Sequence, residues 1–256
     1  MPVPDHMSPA FKLPSPETGT DYWIYVNAPD PDAEPGPWPV VLFMDGDDQF
    51  TYGVKAYREV RAAGTVPPLL LVGVGYGASY GRDPNKRGRD YTPASHPDEP
   101  SSGGADAFLK FLTRTLWTEL GSRYPLHPKS RAIAGHSLGS LLVLHALFQP
   151  QPFFTGHLAS APSIWWDNRA ILDHAKRFRA RHAALHAKLY LAAGGKDSES
   201  MLGDLALLEA QLAAQPFDGL AITSERFPKR DHYTALTDTF PSGLKVLFGS
   251  APTSRA

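Results

Sequence analysis

Arg131-Ala-Ile-Ala-Gly135-His136-Ser137-Leu138-Gly139 is the stretch on which the reading of this chain turns. A short apolar run, Arg131 to Ala134, leads into Gly-x-Ser-x-Gly and passes without a linker into Leu138 to Phe148, a segment apolar nearly all round. A strand that turns directly into a helix at this motif has the form of a nucleophile elbow. Such a turn needs small residues, because strand and helix approach closely around the serine; Gly135 and Gly139 supply them. Ser137 is then expected to project above a sheet. The backbone N–H of Leu138, at the helix start, would face developing negative charge.

Outward from the elbow, short apolar runs alternate with helical patterns. Tyr22 to Val26, Val40 to Met44, Leu69 to Val74, His157 to Ser160, Lys188 to Ala192 and Leu220 to Arg226 read as strands. The continuous apolar runs among them suit strands buried on both faces. Phe108, Phe111, Leu112, Leu116 and Leu120 recur at helical spacing within 105–124, and further helices are expected over 168–182, 200–214 and 233–247. This alternation predicts an α/β fold with a central, mostly parallel sheet flanked by helices on both faces. Residues 1–20 read as a polar lead-in and 21–250 as one domain. The segment 76–104 has no apolar periodicity, and loops that long are usually functional.

Composition narrows the chemistry. The 256 residues are 42% hydrophobic and 20% charged, enough for a sizeable core. Twenty-five lysines and arginines against 26 acids leave no basic excess for a phosphate backbone, so no nucleic-acid partner is expected. Cysteine is absent, which excludes disulfides, thiolate metal sites and a cysteine nucleophile. No run of about 18 apolar residues and no export segment are visible, so no membrane partner and a cytoplasmic location are expected. The acids Asp45, Asp47 and Asp48 have no further ligand cluster beside them, and neither metal nor cofactor is expected.

A serine hydroxyl becomes a nucleophile only when a base takes its proton. In this fold the order along the chain is serine, acid, histidine. His174, His182 and His186 lie in a basic helical stretch and should face solvent, and His145 lies within the helix after the elbow. His232, in the polar loop Pro228-Lys-Arg-Asp-His232 after a strand, is placed to reach back over the sheet. The acid should follow the preceding strand, where Gly194-Gly195-Lys196-Asp197-Ser198-Glu199 offers Asp197, with Glu199 as the alternative. A second oxyanion donor belongs after an early strand, and the backbone N–H of Asp47 is the candidate; the Asp45 side chain would brace that loop.

These residues resemble the esterase-D branch of the α/β-hydrolases and, within it, the enterochelin-type siderophore esterases. The matching pieces are Asp45-Gly-Asp47, Val72-Gly-Val-Gly-Tyr76, Arg89-Asp-Tyr-Thr-Pro93 and Gly103-Gly-Ala-Asp-Ala-Phe108. They continue with Ala134-Gly-His-Ser-Leu-Gly139, Ala161-Pro-Ser-Ile-Trp-Trp-Asp167 and Asp231-His232. The resemblance implies a serine hydrolase with Ser137, Asp197 and His232 as its triad, an acyl-enzyme intermediate, and Leu138 and Asp47 as oxyanion donors. Its substrate would be a small-molecule ester such as the lactone of a ferric catecholate siderophore. Arg82, Arg87 and Arg89 would then meet the anionic ligand, and Trp165 and Trp166 would stack on catechol rings. Other readings on the same scaffold are a generic carboxylesterase or acyl-thioester hydrolase, an acyltransferase, and, least favoured, a non-catalytic binding module. Ser140 departs from the glycine that relatives carry. The residues after Gly195 depart from the usual glutamate, which leaves Asp197 and Glu199 both open. Oligomeric state is not legible.

Overall fold

The computed structural model describes residues 7–249. Among them, eight strands form one sheet: β1 (Phe11–Ser15), β2 (Thr20–Asn27), β3 (Trp38–Phe43), β4 (Leu70–Gly75), β5 (Leu126–His136), β6 (Gly156–Ser160), β7 (Ala184–Gly194) and β8 (Asp218–Phe227). Their order across the sheet is β1-β2-β4-β3-β5-β6-β7-β8. β1 and β2 pair antiparallel, as do β2 and β4, and every other pair is parallel. The helices are α1 (Gly46–Ala62), the one-turn α2 (Arg87–Asp90), α3 (Ala105–Lys110), α4 (Trp117–Arg123), α5 (Leu138–Leu147), α6 (Trp166–Arg179), α7 (Glu199–Ala214) and α8 (Leu236–Phe248). A π-helical turn, Phe111–Leu116, joins α3 to α4.

Side chains of successive strand residues leave opposite faces of a sheet. Val40, Leu42 and Met44 point to one core with Ile133, Leu189 and Leu191, and helices α3 and α5 to α7 close it. Val41 and Phe43 point to the other with Ala132, Ala134, Tyr190 and Ala192, beneath Phe50, Val54, Phe240 and Leu244 of α1 and α8. Both faces are therefore dry, which is why the parallel strands read as unbroken apolar runs. No helix among the described residues is long and apolar enough to cross a membrane.

Four features depart from the sequence reading. The lead-in contributes β1, an edge strand with Pro14 in it, where a missing ladder donor is tolerated. Helix α1 stands where no helix was expected. The helix around 105–124 is continuous but locally unwound by the π turn, and α8 begins at Leu236 rather than 233.

Candidate active site

β5 ends at His136 and α5 begins at Leu138, so Ser137 alone makes the turn. Its φ of 57° and ψ of −120° lie where side-chain-bearing residues are rarely found. The turn is locked from both sides. The Ser137 N–H donates to Ser160 O at 2.9 Å, and the Ser140 hydroxyl faces Gly135 O at 2.7 Å and Ser160 O at 2.6 Å. The departure at Ser140 therefore adds a tie between β5 and β6. A Cβ on Gly135 would lie 2.4 Å from the carbonyl carbon of Gly139, so only glycine lets α5 leave the strand at this angle.

Asp197 and His232 come from the ends of β7 and β8. His232 Nδ1 lies 3.0 Å from Asp197 Oδ2. A carboxylate accepts only, so Nδ1 carries the proton and Nε2 is left unprotonated. Asp197 is buried, whereas Glu199 is exposed in the first turn of α7. The loop bearing His232 rests directly on the end of β7. A Cβ on Gly194 would lie 2.4 Å from Arg230 O, and one on Gly195 2.6 Å from the Pro228 Cα. Asp231 holds the turn, its Oδ1 accepting from the N–H groups of Tyr233 and Thr234 at 3.1 and 2.9 Å. Among the described residues Ser137 Oγ makes no hydrogen bond to His232; its neighbour is Ser163 Oγ at 3.4 Å.

The ends of β3 and β5 are paired, and Met44 N–H donates to Ala134 O, so α1 and α5 start side by side. The N–H groups of Asp47 and Leu138 both lie in a first helical turn, where no intrahelical acceptor exists. The Asp47 carboxylate turns away from the elbow, accepting from Tyr25 Oη at 2.7 Å and from the N–H groups of Tyr76 and Gly77. Asp45, at φ 55°, lies beneath; a Cβ on Gly139 would come within 3.2 Å of its Oδ2. This carboxylate is fully buried beside two helix N-termini. Burial pushes its pKa up and the Arg87 guanidinium pulls it back.

The structure gives Arg87 and Arg89 partners other than the anionic ligand expected of them. Arg87 grips Asp45 with Nε to Oδ1 at 2.8 Å and Nη2 to Oδ2 at 3.1 Å. Arg89 Nε donates to Asp90 Oδ1 at 2.7 Å, and Tyr22 and Tyr76 hydroxyls donate to the other oxygen of this buried acid. Arg82 is exposed, with no carboxylate partner among the described residues. Trp165 is 48% exposed, while Trp166 is buried and spends its N–H on Ala94 O at 3.1 Å. His145 is buried against Asp106, and His174 is partly buried rather than solvent-facing.

Sequence reasoning passed over Ser163 and His136. Ser163 stood in plain view within Pro162-Ser-Ile-Trp-Trp, but nothing local indicated that it returns to the nucleophile. His136 was treated as the variable position of the motif.

A family model described as "Putative esterase" matches residues 15–232, ending on His232 itself. The siderophore triacetylfusarinine C esterase of Aspergillus fumigatus is 36% identical over 186 residues, 69% of this chain and 63% of that protein. Ferri-bacillibactin esterase BesA of Bacillus subtilis is 30% identical over 197 residues, 67% of this chain and 66% of that protein. The match thus spans just under two thirds of the length of these curated relatives. The crystal structure of BES protein from Bacillus cereus superposes with a TM-score of 0.83 at 25% identity, covering 98% of this chain and 97% of that one. The elbow, the strand order and the extent of the family match together make this chain a member of the putative esterase family, built on the α/β-hydrolase fold.

Proposed function

We propose that this protein is a serine esterase that hydrolyses the ester bonds of a siderophore through an acyl-enzyme. Ser137 is the nucleophile, His232 the base and Asp197 the acid that orients it. His232 Nε2 takes the Ser137 proton as Oγ attacks the ester carbonyl. The carbonyl oxygen becomes an oxyanion between the N–H groups of Leu138 and Asp47. The imidazolium returns the proton to the departing alcohol, and water attacks the acyl-enzyme by the same route. The observation that carries this reading is the strained turn at Ser137 together with His232 held at 3.0 Å by the buried carboxylate of Asp197.

The names of the relatives support the siderophore as substrate class. Trp165 and Tyr233, in the segments that carry Ser163 and His232, expose 48% and 83% of their surface and offer aromatic faces to a catecholate. The test is a panel of p-nitrophenyl esters and ferric catecholate trilactones, with wild type and Ser137→Ala. Wild type should turn over the trilactones faster than the simple esters. Ser137→Ala should lose at least about a thousandfold in kcat, since triad members act as a unit. Retention of more than about a tenth of wild-type kcat would exclude the serine mechanism. A preference for the simple esters would exclude the siderophore.

A further inference from the structure

Between the proposed nucleophile and base lies a buried imidazole that the reaction above leaves idle. His136, the last residue of β5, is 4% exposed. Its Nδ1 lies 3.0 Å from Ser160 Oγ, which lies 2.8 Å from Thr239 Oγ1. This chain of three buried side chains links the end of β5 to β6 and to α8. On its other side the ring meets His232, centroid to centroid at 4.7 Å and tilted by 46°.

His136 Nε2 is buried and makes no hydrogen bond of standard geometry among the described residues; the main chain of His232 lies against the same ring and acts to raise its pKa, as an accepting carbonyl does. The ionisable groups that bear on it are His232 and Arg87. Desolvation, with the charges of those two groups, pushes its pKa down to about 3. A neutral imidazole carries one N–H. If Thr239 donates to Ser160 and Ser160 to Nδ1, that proton sits on Nε2, the nitrogen facing an unmet partner. A cation here would repel the imidazolium that His232 becomes; a hydrocarbon would offer the loop carbonyl nothing.

At rest, among the described residues, no bond to Ser137 holds His232 and its side-chain hydrogen bond goes to Asp197. We propose that His136 is a positioning residue for His232: pinned through Ser160 to α8, it is the floor under the base's ring and the donor to its carbonyl, and it keeps the imidazole aligned between Asp197 and Ser137. The inference rests on the reading of His232 as the base.

The experiment compares wild type, His136→Phe and His136→Gln on a neutral p-nitrophenyl ester above the titration range of histidine, with thermal unfolding followed in parallel. Phenylalanine keeps the ring and loses the donor; glutamine keeps a donor. His136→Phe should lower kcat by about 10- to 100-fold with KM nearly unchanged, as expected of a misplaced base. His136→Gln should recover most of that loss. If His136→Phe fails to fold, Ser160→Ala carries the test, since it removes the pin and spares the ring; kcat should fall there too, with KM unchanged. Wild-type kcat in His136→Phe, or in Ser160→Ala in its place, overturns the proposal. So does an equal loss in the phenylalanine and glutamine variants, which would mean that only packing matters. An inactive wild type would bring down the esterase reading and this inference with it. An active wild type with an unimpaired variant would bring down the inference alone.

Discussion

Asp197 Oδ2 accepts from His232 Nδ1 and its Oδ1 from the Ser198 N–H, both at 3.0 Å, so the carboxylate is oriented at both oxygens. Glu199, two residues on, sits in solvent, where its charge favours the N-terminus of α7. The two acids should therefore separate in a kinetic experiment. Asp197→Asn should lower kcat by about three to four orders of magnitude, because the imidazole loses its acceptor and the stabiliser of its charged form. Glu199→Gln should change kcat by less than about threefold, the effect of an exposed helix-end charge. Losses in the reverse order would transfer the acid's role to Glu199. The two-glycine turn pointed toward Asp197 in the sequence; in space, burial and the bond to His232 separate the two residues.

Helix α2 is a single turn, but it carries the cation that neutralises Asp45 beneath the starts of α1 and α5. Removing one partner of a buried ion pair leaves an uncompensated charge and costs about 3–5 kcal/mol. Arg87→Met should destabilise by that order, and the deficit should depend on pH. Without the guanidinium, burial raises the folded pKa of Asp45 above its unfolded value, so the folded state binds the proton more tightly. Stability is then greatest below the unfolded pKa and is lost as pH rises through the folded one. Urea titrations of variant and wild type should show the gap widening as pH rises above the ordinary carboxylate range. A gap independent of pH would mean that Asp45 is not the group left exposed to the loss. At this scale α1 was legible in principle, since Phe50, Val54, Tyr57 and Val60 recur at helical spacing. The acidic run Asp45-Gly-Asp-Asp48 masked it, reading as a loop rather than as a helix start favoured by negative charge. Edge strand β1 was not legible, because Pro14 argues against a strand until its position at the sheet edge is known.

Among the described residues, His136 and His157 are the buried histidines whose pKa burial lowers most. Burial lowers His136 to about 3 and His157 to about 4, the latter despite the carbonyls of Val143 and Phe154 at its two nitrogens. In the unfolded chain each would titrate near the ordinary value of about 6.5. The unfolded state therefore binds more protons, and the contribution of each to stability is complete above about 6.5 and falls as pH drops toward the folded values. The protein should lose about 2–3 kcal/mol for each of these residues between about pH 7.5 and about pH 4.5. Denaturant midpoints across that range measure the slope, and His157→Leu should make it roughly half as steep. An unchanged slope in that variant would show that other groups drive acid unfolding.

Local order alone determined much of this protein. Apolar runs between helical patterns set an α/β sheet covered on both faces. Gly135, Ser137 and Gly139 set the elbow, and chain order pointed to Asp197 or Glu199 and to His232 as the residues to follow it. These features are properties of neighbours in the chain, and periodicity and glycine spacing record them directly. Tertiary structure decided the rest. Arg87 and Arg89 looked like a cationic loop awaiting an anion until folding supplied Asp45, 42 residues from Arg87, and buried Asp90, the neighbour that Arg89 grips, beneath Tyr22 and Tyr76. Trp165 and Trp166 were indistinguishable until one was buried and the other left at the surface. His136 became more than a variable letter in a motif only when Ser160, Thr239 and His232 closed around it from three other parts of the chain. A side chain's charge and shape are written locally, but its partner and its water are supplied by segments distant in sequence, and those two decide what the residue does.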